Sequence, residues 1–458
     1  MKKSSPFIII LIAFIIVVVV SLLPLSKWSG GHIKDFSLVS DILKEVGIME
    51  GVPSYEAEEN IDPELIRAEK EDLTPQAVAP APGEPIDTII SPVKPSRVGD
   101  VVMIEDYTTL GVGFSNLKSA LESGRLARIA VVGDSYIEGD IFTQDLRELF
   151  QNTYGGEGVG YVNMHSDFPG FRRSVRQGGS GWKTFTANKK ADKKYLDIAE
   201  QYSVPSGTAT STYKGTSAFS HTESWSRSRF LFIAPENITI SVKTDGSDWE
   251  ERNIVGSQSV QCLEISKQVS EFGIKTSASS LIGLGVWLDG STGVSLDCMS
   301  SRGFSGITLT RVNPELSKEM SEFVNYDLII LEFGINAMSA KQKNYNVYCS
   351  RMVDVINHVR LCYPDADILL MGVGDRGERR GSQIKSMATA QYMITAQRDA
   401  ARRAHCLFWD TREAMGGEDA VVTWSSTGLM NKDYIHLTHK GGKRLAEELF
   451  NAIQQDLK

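Results

Sequence analysis

Four short stretches of the chain hold side chains that can work together on one reaction. Gly133-Asp134-Ser135 closes the apolar run Arg128-Ile-Ala-Val-Val132. A serine at the carboxyl edge of a buried strand lies where α/β sheets place their ligands, but its hydroxyl needs a base to become a nucleophile. Asp433-Tyr-Ile-His436 offers that base. A spacing of three brings the carboxylate back beside the imidazole in a turn, where it can hold the Nδ1 proton and leave Nε2 facing a substrate. Glu332-Phe-Gly334-Ile-Asn336 follows a second apolar run; glycine permits close backbone approach, and the Asn336 amide can donate to an oxyanion. Arg302-Gly303-Phe-Ser305-Gly306 could add a glycine N–H to the same oxyanion. Each stretch alone also reads as a plain turn or a helix cap, so only their combination carries weight. Asp134 and Asp140, on either side of the serine, read as structural carboxylates that fix loop backbone by hydrogen bonds.

These stretches need a scaffold. Before Ser135, Leu117 to Leu126 has helical spacing and Arg128 to Val132 reads as a strand; after it, Asp140 to Asn152 reads as a helix, followed by a glycine- and aromatic-rich loop over 153–181. From 182 to 310, short alternating runs such as Phe230-Leu-Phe-Ile233 and Ile238-Thr-Ile-Ser-Val242 are separated by turn residues, a pattern that suits an antiparallel β-sandwich. Beyond 310 strands alternate with helices: Tyr326 to Leu331, Asn344 to Leu361, Ala366 to Met371, Ile384 to Ala404, Cys406 to Trp409 and Lys440 to Leu457. That rhythm implies a parallel sheet with helices on both faces. The expected fold is α/β, a three-layer α/β/α domain in two parts, 98–181 and 311–458, interrupted by an antiparallel β-rich insert at 182–310.

Composition narrows the function classes. The chain has 458 residues, 41% hydrophobic and 23% charged, with a formal net charge of −9. This is ordinary globular composition, and an acidic chain without a basic block is a poor match for nucleic acid. The seven histidines are scattered; His436 and His439 stand close but lack two further ligands, so neither a metal nor another cofactor is expected. Lys2 and Lys3 precede an apolar run from Phe7 to Leu25, near the lower length for crossing a bilayer. The lysines place the start in the cytoplasm and the rest outside. Residues 1–26 are therefore read as an uncleaved anchor, against the alternative of a signal peptide. Eight of the fifteen prolines fall between Pro53 and Pro95, so 27–97 reads as an extended stalk. Five cysteines are too few for a disulfide scaffold. Cys262 and Cys298 could pair, Cys349 and Cys362 are roughly 20 Å apart along one helix, and buried free thiols are the commoner outcome.

The order of the four stretches along the chain resembles the SGNH (GDSL) hydrolase superfamily, whose four blocks supply Ser, Gly, Asn and His in this sequence. The resemblance covers roughly 125–160 and 300–458. It implies Ser135 as nucleophile, His436 as base and Asp433 as the residue orienting His436. It implies an oxyanion hole from the N–H groups of Ser135 and Gly306 and the side chain of Asn336, with Gly303 as the alternative glycine. Ala337 departs from the family's Gly-x-Asn-Asp. Gly133-Asp-Ser-Tyr-Ile-Glu-Gly-Asp140 and Gly155-Gly-Glu-Gly-Val-Gly-Tyr161 look like the periplasmic branch of peptidoglycan and polysaccharide O-acetylesterases and O-acetyltransferases. That branch implies an envelope glycan substrate, an acetyl-serine intermediate and, for transfer, a membrane-bound O-acyltransferase partner at the inner membrane. Trp225, Trp249 and Trp287 could stack on sugars, though core packing suits at least two of them better. The competing reading is a glycan-binding or envelope-assembly protein on a catalytically degenerate SGNH fold. A lipase or thioesterase for long acyl chains fits less well, because 153–181 is polar and glycine-rich.

Overall fold

The computed structural model describes residues 94–187 and 191–458; the apolar run Phe7 to Leu25 and most of the proline-rich stretch lie outside these residues. Among the described residues no helix is long and apolar enough to cross a membrane.

The runs that read as buried strands form one six-stranded sheet. Its order is Val294–Ser300, Ala127–Gly133, Leu328–Glu332, Asp367–Met371, Leu407–Trp409 and the short edge strand Glu105–Asp106. The first five pair in parallel and the edge strand is antiparallel. Ala127–Gly133, Leu328–Glu332 and Asp367–Met371 are buried at every position, as expected of strands covered on both faces. Numbered along the chain, the five parallel strands run 2-1-3-4-5. The order reverses between Ala127–Gly133 and Leu328–Glu332, and a doubly wound sheet opens its ligand crevice at that point. Right-handed crossovers leaving this point in opposite directions put their helices on opposite faces. Helix Thr143–Tyr154 packs on His439–Leu457, and Asn346–Cys362 packs on Ala390–Arg403. The result is the three-layer arrangement.

Between helix Thr143–Tyr154 and strand Val294–Ser300 the chain makes nine antiparallel strands, from Gly158–Val162 to Ile282–Asp289. They begin and end earlier than the 182–310 boundaries, because Val294–Ser300 already belongs to the parallel sheet. Gly158–Val162 reads as loop by composition, yet Gly160 is there for close approach: a Cβ would strike Asp297. The nine strands are hydrogen-bonded as one connected sheet rather than the two separate sheets of a sandwich. The entry and exit strands are neighbours, with Gly158 opposite Asp289.

The run Phe230-Leu-Phe-Ile233 is apolar without alternation because both its faces are covered. Phe230 and Phe232 face the core of the antiparallel sheet, while Leu231 and Ile233 join the core of the α/β domain. Buried polar groups reinforce this seam. Asp289 receives Arg128 at 2.6 Å and Arg229 at 2.8 Å, and Asp297 accepts from Trp287 Nε1 at 2.8 Å and the Tyr326 hydroxyl at 2.9 Å.

One sequence expectation changes, while the cysteine and tryptophan alternatives resolve toward free thiols and core packing. Ile384 belongs not to a helix but to a hairpin, Gly377–Arg380 with Gln383–Ser386, turned at Gly381 with φ +63°, and the helix starts at Ala390. Cys262 and Cys298 are unpaired, as are the other three cysteines. Trp225 and Trp287 are fully buried, and Trp249 lies under the ammonium groups of Lys243 and Lys275, 5.4 and 4.8 Å from its ring.

Candidate active site

The serine turn is built by tight packing at the end of the first parallel strand. A Cβ on Gly133 would lie 2.7 Å from the Glu332 carbonyl on the neighbouring strand, so only glycine fits. The chain then turns, and Asp134 Oδ1 accepts from the Tyr136 N–H at 2.9 Å. This carboxylate-to-backbone bond fixes such a turn locally. Ser135 stands at its crest, partly exposed.

The histidine loop precedes the last helix, which Thr438 caps by accepting from the Gly441 N–H. Asp433 Oδ1 accepts from the backbone N–H of Ile435 and His436, at 2.9 and 3.1 Å. Its other oxygen lies 2.7 Å from His436 Nδ1, and His436 Nε2 lies 2.9 Å from Ser135 Oγ. Ser135 and the pair Asp433 and His436, 301 residues further along the chain at His436, thus form one hydrogen-bonded line. Burial alone would raise the Asp433 carboxyl; the bonds from His436 and the two backbone N–H groups outweigh it and hold the group below its ordinary range. It stays ionised, as an orienting carboxylate must. His439 turns elsewhere, with Nδ1 3.0 Å from Gln144 Nε2.

The glycine and asparagine stretches close around the serine turn. Ser301 N–H donates to the Gly133 carbonyl at 2.8 Å, and Ser300 Oγ donates to the Asp134 carbonyl at 2.9 Å. Gly303 and Gly306 both have left-handed backbone, φ +81° and +90°. Gly306 is also sterically required, since a Cβ would lie 2.7 Å from the Phe333 ring. Gly334, at φ +120°, would press a Cβ to 2.8 Å from Gln397 Nε2. Among the described residues, the backbone N–H groups of Ser135 and Gly306 have no hydrogen-bond acceptor.

Asn336 differs from its expected role. Its amide nitrogen donates to Asp134 Oδ2 at 2.8 Å and to the Phe304 carbonyl at 3.0 Å. Both N–H groups are committed, and a buried carboxylate is the stronger acceptor. In this arrangement Asn336 ties the glycine stretch to the serine turn. Asn336→Ala is therefore expected to lower the unfolding midpoint as well as the rate, because it strands a buried carboxyl oxygen at about 1–3 kcal/mol. Thermal unfolding checks this; a rate loss at unchanged midpoint would mean that Asn336 acts only on the substrate.

Sequence reasoning quoted Glu332 without giving it a part. Its backbone carbonyl accepts from the Asp134 N–H at 3.3 Å, and both carboxyl groups are buried. Burial pushes both above the ordinary carboxylate range, with repulsion from Asp134 adding to it at Glu332 and repulsion from Glu138 at Asp134. A shared proton avoids two buried negative charges. The signal in the sequence is a glutamate ending the otherwise apolar run Leu328-Ile-Ile-Leu331. The folded state then holds more protons than the unfolded state above the ordinary carboxylate range near 4, so this pair makes stability fall as pH rises. Glu332→Gln removes one of the two carboxyls and should flatten that fall between about pH 5 and 8; unfolding midpoints across pH for both proteins measure it.

No protein-family model matches the chain, and no curated protein matches it. Among solved structures, a peptidoglycan O-acetylesterase superposes on 77% of this chain and 99% of its own, with a TM-score of 0.65 at 22% identity. A family two carbohydrate esterase from Cellvibrio japonicus covers 62% of this chain and 98% of its own at 10% identity, with a TM-score of 0.27. An acetyl xylan esterase covers 35% and 81% at 17% identity, with a TM-score of 0.26. The first likeness is one of fold, over nearly the whole length of the solved chain.

Proposed function

We propose that this chain, which has the SGNH hydrolase fold, is a serine-dependent acyl ester hydrolase or O-acetyltransferase acting on O-acetyl groups of a cell-envelope glycan. The observation that carries the reading is the line from Ser135 Oγ through His436 to Asp433, at 2.9 and 2.7 Å. Ser135 Oγ attacks the acetyl carbonyl as His436 Nε2 takes its proton, and Asp433 holds the imidazolium that results. The N–H groups of Ser135 and Gly306 stabilise the oxyanion. Asn336 adds a donor only by sharing or releasing one of its two present bonds. Collapse of the intermediate expels the sugar alkoxide, which takes the proton from His436 and leaves acetyl-Ser135. Water as second acceptor gives an esterase; a sugar hydroxyl gives a transferase. The glycan is proposed from the peptidoglycan O-acetylesterase that shares the fold.

The same reading places the enzyme outside the cytoplasm, held at the inner membrane by Phe7 to Leu25 and set off from it by the proline-rich stalk. A transferase would draw acetyl groups from a membrane-bound O-acyltransferase partner. Cell fractionation tests the anchor: the full-length chain should sediment with membranes, and a shortened soluble product would sink it. The chemistry is tested by quenching the enzyme with p-nitrophenyl acetate and searching the Ser135 peptide for an acetyl group by mass spectrometry. Acetyl on Ser135 together with acetate release from O-acetylated peptidoglycan is the expected result. Neither signal would favour the non-catalytic reading, to which Ala337 and the committed Asn336 amide already lean.

A further inference from the structure

A shallow cleft of about 140 Å³ lies beside the serine turn, room for part of one sugar ring rather than a whole small-molecule site. Its floor is the short turn Glu138–Asp140, which starts three residues after Ser135. One wall is the loop carrying Ser166, Phe168 and Phe171; the other includes Asn163 and, from the antiparallel sheet, Gln177 and Gln201. Ser300, which donates to the Asp134 carbonyl, lines it too. The cleft therefore borders the serine turn through Ser300 and is made by both sheets.

The charges in this cleft are already matched. Asp140 is held by Arg147 at 2.7 Å and Arg172 at 3.2 Å, and Glu138 by Arg302 at 3.1 Å. Arg172 also donates to Ser174 Oγ and to the carbonyls of Tyr161 and Val159. What is left to meet a ligand is neutral: the Asn163, Gln177 and Gln201 amides, serine hydroxyls and one aromatic face. Phe168 is 41% exposed, and its ring stacks on Phe171 at 5.6 Å and 20°. Phe171 is in turn pressed on the serine turn, since a Cβ on Gly139 would lie 3.0 Å from it. A flat ring held against the Glu138–Asp140 turn through Phe171, edged with amides that both donate and accept, fits a neutral pyranose. It does not favour a charged group or an acyl chain. The tryptophans of the antiparallel sheet offer no such open face.

We propose that this cleft is a glycan subsite next to the acylated sugar, where a neutral pyranose stacks on Phe168 and the Asn163, Gln177 and Gln201 amides bind its hydroxyl or acetamido groups. The assignment rests on the hydrolase reading for its orientation toward Ser135, but its test needs no turnover. The full-length protein is titrated calorimetrically with the tetramer of N-acetylglucosamine and, separately, with cellotetraose. At least one should bind, and Phe168→Ala and Gln201→Ala should each weaken it about tenfold or more, the equivalent of 1.4 kcal/mol. Unchanged unfolding midpoints establish that the variants fold. Binding of the N-acetylglucosamine tetramer alone assigns an acetamido-bearing glycan; equal binding of both assigns recognition of the bare ring. Failure of both tetramers to bind, or binding that ignores Phe168→Ala, overturns the subsite. Wild-type turnover of p-nitrophenyl acetate is read in parallel. Turnover without sugar binding removes the subsite alone, while sugar binding without turnover removes the hydrolase reading and leaves the subsite.

Discussion

Ser135→Ala is expected to cut hydrolysis of p-nitrophenyl acetate by about 10⁴-fold or more, to near the uncatalysed rate, while the protein stays folded. The size follows from what the hydroxyl does. Its hydrogen bond is to His436 Nε2, so its loss strands no buried group and should leave the unfolding midpoint in place. It also removes the atom that forms the acyl-enzyme, and triad groups act as a unit, so little is left beyond the contribution of the oxyanion donors. Stopped assays on matched preparations of both proteins decide it. Equal rates would mean either that the acyl-enzyme forms and is shielded from water, which the acetyl search on Ser135 detects, or that the fold has lost its chemistry.

Asp140→Ala should be the most damaging change to stability, and for a different reason. The carboxylate is buried, at φ +67°. It accepts from Arg147 twice, at 2.7 and 2.8 Å, from Arg172 and Ser174 at 3.2 and 2.5 Å, and from Thr143. Removing it leaves the Arg147 guanidinium buried with one carbonyl, that of Leu296. Breaking a buried pair in this way costs about 3–5 kcal/mol, and alanine tolerates left-handed backbone less well than aspartate. A fall of roughly 4–7 °C in the unfolding midpoint follows. Burial alone would raise the Asp140 carboxyl, but Arg147 and Arg172 outweigh it and hold the group far below its ordinary range. Its contribution is then present above the ordinary carboxylate range and fades only as pH falls well below it. The deficit of the variant should accordingly be the same at pH 6 and pH 9. A midpoint within about 2 °C of wild type would show that Arg147 finds another partner.

Ser135, Asp433 and His436 could be read from the sequence because each sits in a short stretch whose spacing alone sets its local geometry. Buried strands such as Asp367–Met371 were legible for a similar reason: an unbroken apolar run has few other places to go. What escaped depends on contacts distant in the chain. The commitment of the Asn336 amide is decided by Asp134 and Phe304, and the place of Glu332 by the strand beside it. Glycine misled once. Around Gly158 and Gly160 it marks strands pressed together rather than a loop, and the hairpin turned at Gly381 takes in Ile384, the expected start of a helix. Trp225 and Trp287 pack in the core as their type suggests, and the packing of two sheets against each other decides which aromatic remains open.

The interruption of the parallel sheet also sets an order of assembly. Strand Ala127–Gly133 lies between Val294–Ser300 and Leu328–Glu332, so its first pairing partner emerges roughly 160 residues after it, and loop closure over such a span slows folding. Until then an apolar strand waits with both edges open, a state prone to aggregation. The antiparallel strands shorten the wait. Once formed, they set Gly158 opposite Asp289, which brings the start of Val294–Ser300 back to the point of departure and places Asp289 where Arg128 can reach it. Strand Ala127–Gly133 thus gains its first partner by way of the antiparallel sheet, and the turn carrying Ser135 is expected to form only after that sheet has closed.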